Sequence, residues 1–469
     1  MTASTVSRKR VLIVEPQAAA SNVFSAFAGL PLMGPLLMGT VLKQAGFDVT
    51  VVSENLLGRP LGIHDMDHDF LLVSCLTPTV ERGFELAALF KRRNARGQVI
   101  MGGPHVSFLP EEALSYADHV VTGEGENVIV DLLRHGADER VVQGTPVQDL
   151  DTLPLVDWQL LVNWERQYIQ PIMLSRGCPF GCNFCSVTAM FGRGYRTVSV
   201  DRALEEIGRT TRNDMFFYDD NFTANPKRSR QILEGMARLP RRPRSWSAQV
   251  RTDLTRDREL MGALARAGCG RVYVGLESVN DETLAELHKS QTLEDVRRAV
   301  RVFHEHGIAV HGMFMFGADA DGPEVLRATG DFVRREHVDS VQYLIATPFP
   351  GTEYYRRLEA EGRLLHKIWR YYDAMHVVFR PRQLSPLQLQ ELAMAEYGDF
   401  YTILQALNEG LETALEGMLS LLGRSSRTRT PSLINAALKV MGSRIVRKWN
   451  QGNVDYMNYL RTVPDQAVG

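Results

Sequence analysis

The chain has 469 residues, 44% hydrophobic and 23% charged, which is ample material for buried cores and calls for two or three domains. That composition excludes a disordered, collagen-like or disulfide-stapled protein. With 53 Lys and Arg against 55 Asp and Glu the formal charge is −2, so no global field gathers nucleic acid. No apolar stretch approaches the roughly 20 residues needed to cross a bilayer. Glu15 and Pro16 interrupt the first short apolar run, so no signal-peptide core is expected and the chain reads as cytoplasmic.

Residues 1–137 alternate short β-rich runs with helical patterns. Strands are expected at 11–14, 49–53, 70–74, 98–101 and 119–122, and helices at 35–45, 80–93 and near 111–116. Such alternation specifies a Rossmann-like parallel sheet with helices on both faces, whose ligands bind beyond the carboxyl ends of the strands. The loops at those ends carry small residues: Cys75-Leu76-Thr77-Pro78-Thr79, Gly102-Gly103-Pro104-His105 and Gly123-Glu124-Gly125-Glu126. Any one of them suits an ordinary turn; together on one rim they suit a bulky ligand lying against the backbone. Residues 138–168 are polar and proline-interrupted and read as a linker.

A second alternating series follows over 169–348. Strands are expected at 169–174, 215–218, 245–249, 272–275, 309–314 and 340–345, with helices at 200–209, 226–238, 256–267, 293–306 and 323–336. Six such units suit a partial (β/α)6 barrel of TIM type, with its chemistry at the carboxyl ends of the strands. Residues 349–469 read as a mainly helical capping region.

The chain has five cysteines, and Cys178, Cys182 and Cys185 fall within eight residues, directly after the first barrel strand. An odd, clustered set argues for ligation rather than disulfides. Three thiolates in C-x3-C-x2-C spacing hold three irons of a [4Fe–4S] cube and leave the fourth open. A structural zinc site wants four closed ligands, and no fourth Cys or His lies nearby in the sequence. Cys75 and Cys269 read as ordinary buried thiols.

At these residues, with Phe184 before the last cysteine, the chain resembles the radical S-adenosylmethionine superfamily. The resemblance implies that the open iron chelates S-adenosylmethionine, which one electron from a donor such as flavodoxin or ferredoxin then cleaves to a 5′-deoxyadenosyl radical. It further implies cofactor contacts at successive strand ends: Asp219, Asp220 and Asn221 after the second strand, Gln249 and Arg251 after the third, Glu277 and Ser278 after the fourth, and Gly312 on the fifth. Carboxylates there suit the methionyl ammonium, and Arg251 suits its carboxylate.

The Rossmann-like domain ahead of the barrel resembles that of the cobalamin-binding subclass. The resemblance implies that Ser74, Thr77 and Thr79 line a slot for the cofactor's nucleotide tail, that Gly102 and Gly103 pass close to it, and that Gly123 and Glu124 belong to the same rim. The D-x-H-x-x-G pattern that supplies a histidine to cobalt is missing, since His64-Asp65-Met66-Asp67-His68 does not fit it. Cobalamin without a protein nitrogen ligand is therefore expected, with His105 the loop histidine to watch. A degenerate Rossmann module without cobalamin is the alternative; the absence of G-x-G-x-x-G makes it a poor dinucleotide site.

In the carboxyl-terminal region Leu438, Met441, Ile445 and Trp449 recur at near-helical spacing among basic residues. They allow either a helix packed on the barrel or peripheral contact with a membrane surface. The expected function is methyl transfer from methylcobalamin to a carbon radical of a small molecule, lipid-like or a natural-product precursor. Cyclisation or rearrangement with the same cofactors is the alternative, and a non-catalytic sensor the reading from another class.

Overall fold

The computed structural model describes residues 8–19, 29–407, 411 and 433–464. In chain order the strands are β1 (Arg10–Glu15), β2 (Asp48–Ser53), β3 (Phe70–Ser74), β4 (Gln98–Gly102), β5 (His119–Thr122) and β6 (Val141–Gln143). They form one parallel sheet in the order β2-β1-β3-β4-β5-β6. The expected five strands are all present. The sixth comes from the stretch read as linker: Val120 on β5 takes hydrogen bonds to its far side, and the edge is covered by Val141–Gln143. Its three residues are too short and too exposed to leave a periodic signal.

Both faces of this sheet are buried. Val11, Ile13, Leu72 and Ile100 face one apolar cluster with Leu36, Leu42 and Ile129 from flanking helices, while Leu12, Val14, Leu71 and Val73 face another with Leu86 and Phe90. Burial on both sides is why these strands read as unbroken apolar runs.

The second sheet contains β7 (Ile169–Ile172), β10 (Asp214–Phe217), β11 (Ser245–Val250), β12 (Cys269–Glu277), β13 (Ala309–Phe316) and β14 (Ser340–Ile345), parallel and in sequential order. Between β7 and β10 a separate antiparallel pair, β8 (Ser175–Arg176) and β9 (Arg196–Thr197), closes the base of the cysteine loop like a clasp. On β11 the outward Trp246, Ala248 and Val250 enter the barrel's hydrophobic shell, while Ser245, Ser247 and Gln249 face the lumen. The expected partial (β/α)6 barrel is thus present, preceded by the Rossmann-like domain.

The carboxyl-terminal region packs on both units. Tyr355, Trp369 and Tyr372 join a core cluster of the first domain, and Trp369 Nε1 donates to Glu112 Oε2 at 2.8 Å. Tyr397 and Phe400 join the barrel core, as do Val446 and Trp449 of the helix Leu433–Gly452. Trp449 is only 3% exposed and Leu438 and Ile445 line a cavity, so this helix lays its apolar side on the barrel; Met441 alone of the four stays exposed. That placement matches the first of the two expected alternatives, a helix packed on the barrel. No described helix is long and apolar enough to cross a membrane. The expected continuation of helices to about residue 422 lies largely outside the described residues.

The two domains are joined by buried ion pairs. Arg176 on β8 reaches Glu124 and Glu126 at 2.6 Å each, and Arg196 on β9 also bonds Glu124. Burial pushes the Glu124 carboxyl up, but Arg196, the Val147 N–H and Arg176 more than reverse this and hold it below its ordinary range. Removing one partner of such a cluster leaves buried charge uncompensated. Arg176→Ala is expected to lower unfolding free energy by about 3–5 kcal/mol, read by urea denaturation.

Candidate active site

The cysteine loop is shaped by its glycines. Gly177 has φ +83°, and a side chain there would run into the Gly194 carbonyl across the clasp. The loop therefore leaves β8 sharply and brings Cys178, Cys182 and Cys185 to the wall of one cavity of 190 Å³, in company with Phe180 and Phe184. The three thiols are partly buried and unbridged. Burial pushes the Cys178 and Cys185 thiols up, a tendency that a bound cation reverses. Among the described residues no three His, Cys, Asp or Glu side chains converge on a single ion. Thiols ringing a common space instead suit a polynuclear cluster, whose iron atoms keep the ligands apart.

The same cavity is lined by Asp220, Asn221, Gln249, Arg251 and Glu277, at the ends of β10, β11 and β12. Burial, then the neighbouring Asp219, raises the Asp220 carboxyl to about 6. The Arg251 guanidinium lies 3.8 Å above the Phe180 ring and donates to the Lys289 carbonyl at 2.7 Å. Its Nε makes no hydrogen bond and lies 4.0 Å from Asp253 Oδ1, so donor capacity remains for an anionic group such as a methionyl carboxylate.

Glu277 sits at φ +61°, where β12 breaks register against β13, and its Oε1 accepts from Lys289 Nζ at 2.6 Å. A side chain on Gly275 would touch both members of this pair, 2.5 Å from Glu277 Oε1 and 2.6 Å from Lys289 Nζ. The glycine in Gly275-Leu276-Glu277 thus makes room for the ion pair. Lys289 is a cavity residue the sequence reading missed. It lies twelve positions beyond Glu277 in a loop between helices, where a lone lysine carries no pattern.

Three expected contacts are corrected. Asp219 turns away from the cavity, accepting from Leu174 N and Ser175 Oγ; it holds the start of the clasp rather than a ligand. Ser278 Oγ accepts from the Asn280 N–H at 3.1 Å, and the residue is off the cavity wall. Gly312 faces the shell, where a Cβ would meet Leu276, Phe314 and Val338 at 3.1 Å, and Met313 takes its place on the wall. In each case an adjacent residue, Asp220, Glu277 or Met313, lines the wall instead, and for Met313 strand alternation sets the facing.

A second cavity of 360 Å³ lies between the Rossmann-like sheet and the barrel mouth. Ser74, Gly102, Gly103, Gly123 and Glu124 line it as expected, with Leu32, Met33 and Met38 on one side and Met173, Met190 and Phe191 on the other. It sits beyond the carboxyl ends of the strands at the point where strand order reverses, between β1 and β3. Gly103 has φ +97°, and a Cβ there would lie 2.7 Å from the Cys75 carbonyl oxygen. Such close backbone approach is what a large planar cofactor with a buried tail requires.

Thr77 and Thr79 are buried off this wall; Thr79 Oγ1 bonds the Leu76 N–H at 3.1 Å and shapes the turn. Glu124 borders the cavity, yet its carboxylate is committed to Arg176 and Arg196. His105 is fully buried, packed edge-on to Trp369 at 5.0 Å, and burial lowers its pKa to about 4. It belongs to the contact with the carboxyl-terminal region, and no histidine is among the described residues of the cavity wall. Cys75 and Cys269 are buried thiols, as expected.

The two cavities meet: Asp220 and Val187 line both. A side chain of the radical-generating pocket is therefore also wall of the larger one.

Residues 172–333 match the radical SAM superfamily and residues 33–133 the B12 binding domain. The chain is 30% identical over 408 residues to bacteriochlorophyllide d C-12(1)-methyltransferase of Chlorobaculum tepidum, covering 83% of this chain and 87% of that one. It is 26% identical over 437 residues to the anaerobic magnesium-protoporphyrin IX monomethyl ester cyclase of Cereibacter sphaeroides, covering 84% and 70% respectively. The fold matches the cobalamin-dependent S-adenosylmethionine radical enzyme OxsB with aqua-cobalamin and S-adenosylmethionine bound, at TM-score 0.62 and 15% identity, over 98% of this chain and 82% of that one.

The Glu277–Lys289 pair yields a direct check. Lys289→Met is expected to weaken S-adenosylmethionine binding by about tenfold, the worth of one buried charge-assisted contact. Equilibrium dialysis would measure it, with iron content and cobalamin uptake unchanged. A [4Fe–4S] cluster, S-adenosylmethionine and cobalamin are the cofactors of this enzyme, and the chain belongs to the cobalamin-binding branch of the radical S-adenosylmethionine superfamily.

Proposed function

We propose that this enzyme is a C-methyltransferase acting on an apolar small molecule. The observation that carries the reading is the shared wall at Asp220 and Val187, which sets the cluster cavity directly beside the cobalamin cavity. When bound, the cluster with S-adenosylmethionine supplies hydrogen abstraction, and cobalamin supplies the methyl group. The chain's own residues then position and exclude. Arg251 and the Glu277–Lys289 pair orient a zwitterionic ligand against the three thiols. The methionines and leucines of the larger cavity keep water from a reactive carbon and favour an apolar substrate. Relatives named for methylation of bacteriochlorophyllides support the same class.

The cyclase relative makes ring formation without methyl transfer the competing outcome. Anaerobic turnover with methyl-labelled S-adenosylmethionine is expected to place the label in the product, read by mass spectrometry. A converted product without label would establish the cyclase reading instead. The absence of a histidine from the described cavity wall carries a second expectation. The cob(II)alamin EPR spectrum of the loaded protein should lack superhyperfine splitting from a protein nitrogen.

A further inference from the structure

The barrel encloses another space, remote from both cofactor cavities. A cavity of 560 Å³ lies at the opposite, amino-terminal end of the barrel strands, closed by the helices Pro386–Phe400 and Leu433–Gly452. Its wall shares no residue with either cofactor cavity. A file of rings separates them: Tyr218 contacts Phe216 at 5.3 Å, Phe216 contacts Tyr273 at 5.4 Å, and Tyr273 contacts His311 at 4.6 Å. The volume lies within the range of small-molecule sites, and most of the wall is apolar.

The polar part of the wall is concentrated. Arg271 donates through Nη1 to Ser340 Oγ at 2.5 Å and through Nη2 to Asn435 Oδ1 at 2.9 Å. It forms no ion pair among the described residues, so its charge is balanced only by neutral oxygens. His311 Nδ1 lies 2.8 Å from the same Ser340 Oγ. The Gln342 side chain is the other polar neighbour of His311, and burial lowers the imidazole pKa to about 3, so the ring is neutral and carries one N–H. A guanidinium held only by neutral oxygens among the described residues thus borders a largely apolar space, whose described wall has one carboxylate, the exposed Asp214. In apolar surroundings such a cation favours an anionic acceptor.

We infer that this lower cavity binds a small amphiphilic carboxylate, its carboxylate at Arg271 and its hydrocarbon part between the barrel and the helix Leu433–Gly452. The site is independent of methyl transfer. A ligand there holds the carboxyl-terminal helix against the barrel, because Leu438, Ile445 and Val446 form part of the wall.

Isothermal titration of the full chain with dodecanoate below its micellar concentration tests this. Saturable one-to-one binding is expected, at least about tenfold tighter than binding of dodecanol, with Arg271→Gln erasing the difference. Ser247→Phe fills the cavity without removing the cation and is expected to abolish binding; unchanged iron content and cobalamin uptake report that each variant is folded. Should Arg271→Gln fail to fold, the dodecanol comparison and Ser247→Phe decide. No saturable dodecanoate binding, equal affinity for dodecanol, or undiminished binding by folded Ser247→Phe would overturn the assignment.

Discussion

The antiparallel clasp of β8 and β9, ion-paired through Arg176 and Arg196 to Glu124 and Glu126, is the contact on which the rest of the structure depends. It closes the base of the loop that carries the three cysteines. It also anchors that loop to the last rim turn of the Rossmann-like sheet. Neither domain could tilt against the other without separating buried charges, a change that costs several kcal/mol. The clasp therefore sets the spacing of two cofactor sites that belong to different domains.

Chemistry follows from this fixed juxtaposition. The barrel gathers charged groups at the carboxyl ends of its strands, and the rim of the Rossmann-like sheet presents mostly glycines and apolar side chains. Charge and donors for a zwitterionic ligand gather in the small cavity around Arg251 and Glu277. The larger cavity is mostly apolar and supplies shape and dryness. Asp220 stands where the two meet. The division matches what each cofactor needs from a protein: orientation of charge in one case, and exclusion of solvent around a large planar body in the other.

The carboxyl-terminal region acts as a brace rather than an appendage. Trp369, beside His105 and bonded to Glu112, fastens it to the first domain, while Tyr397 and Trp449 fasten it to the barrel. Its helices also cover part of the lower end of the lumen, leaving a cavity there. Polar groups at that end, with Arg271 foremost, make the lower lumen chemically distinct from the packed layer of rings above it.

The sequence by itself determined the alternation of strands and helices, because burial on both faces of a parallel sheet demands continuous apolar runs that are visible without coordinates. It also singled out Cys178, Cys182 and Cys185, three thiols within eight residues that the structure brings to one cavity wall. Strand-end residues were legible only to within one position. Asp220 and Asn221 were named and line the cavity, but Asp219 beside them turns to the clasp, and Gly312 was named where Met313 does the lining, because no local signal reports which of two adjacent side chains faces inward. Tertiary structure alone decided the rest. Lys289 meets Glu277 through a loop conformation, Glu124 is claimed by arginines more than fifty residues away, and the stripe around Trp449 is spent on the barrel rather than on a membrane. These pairings are fixed by chain folding over long separations, and composition and spacing carry no record of them.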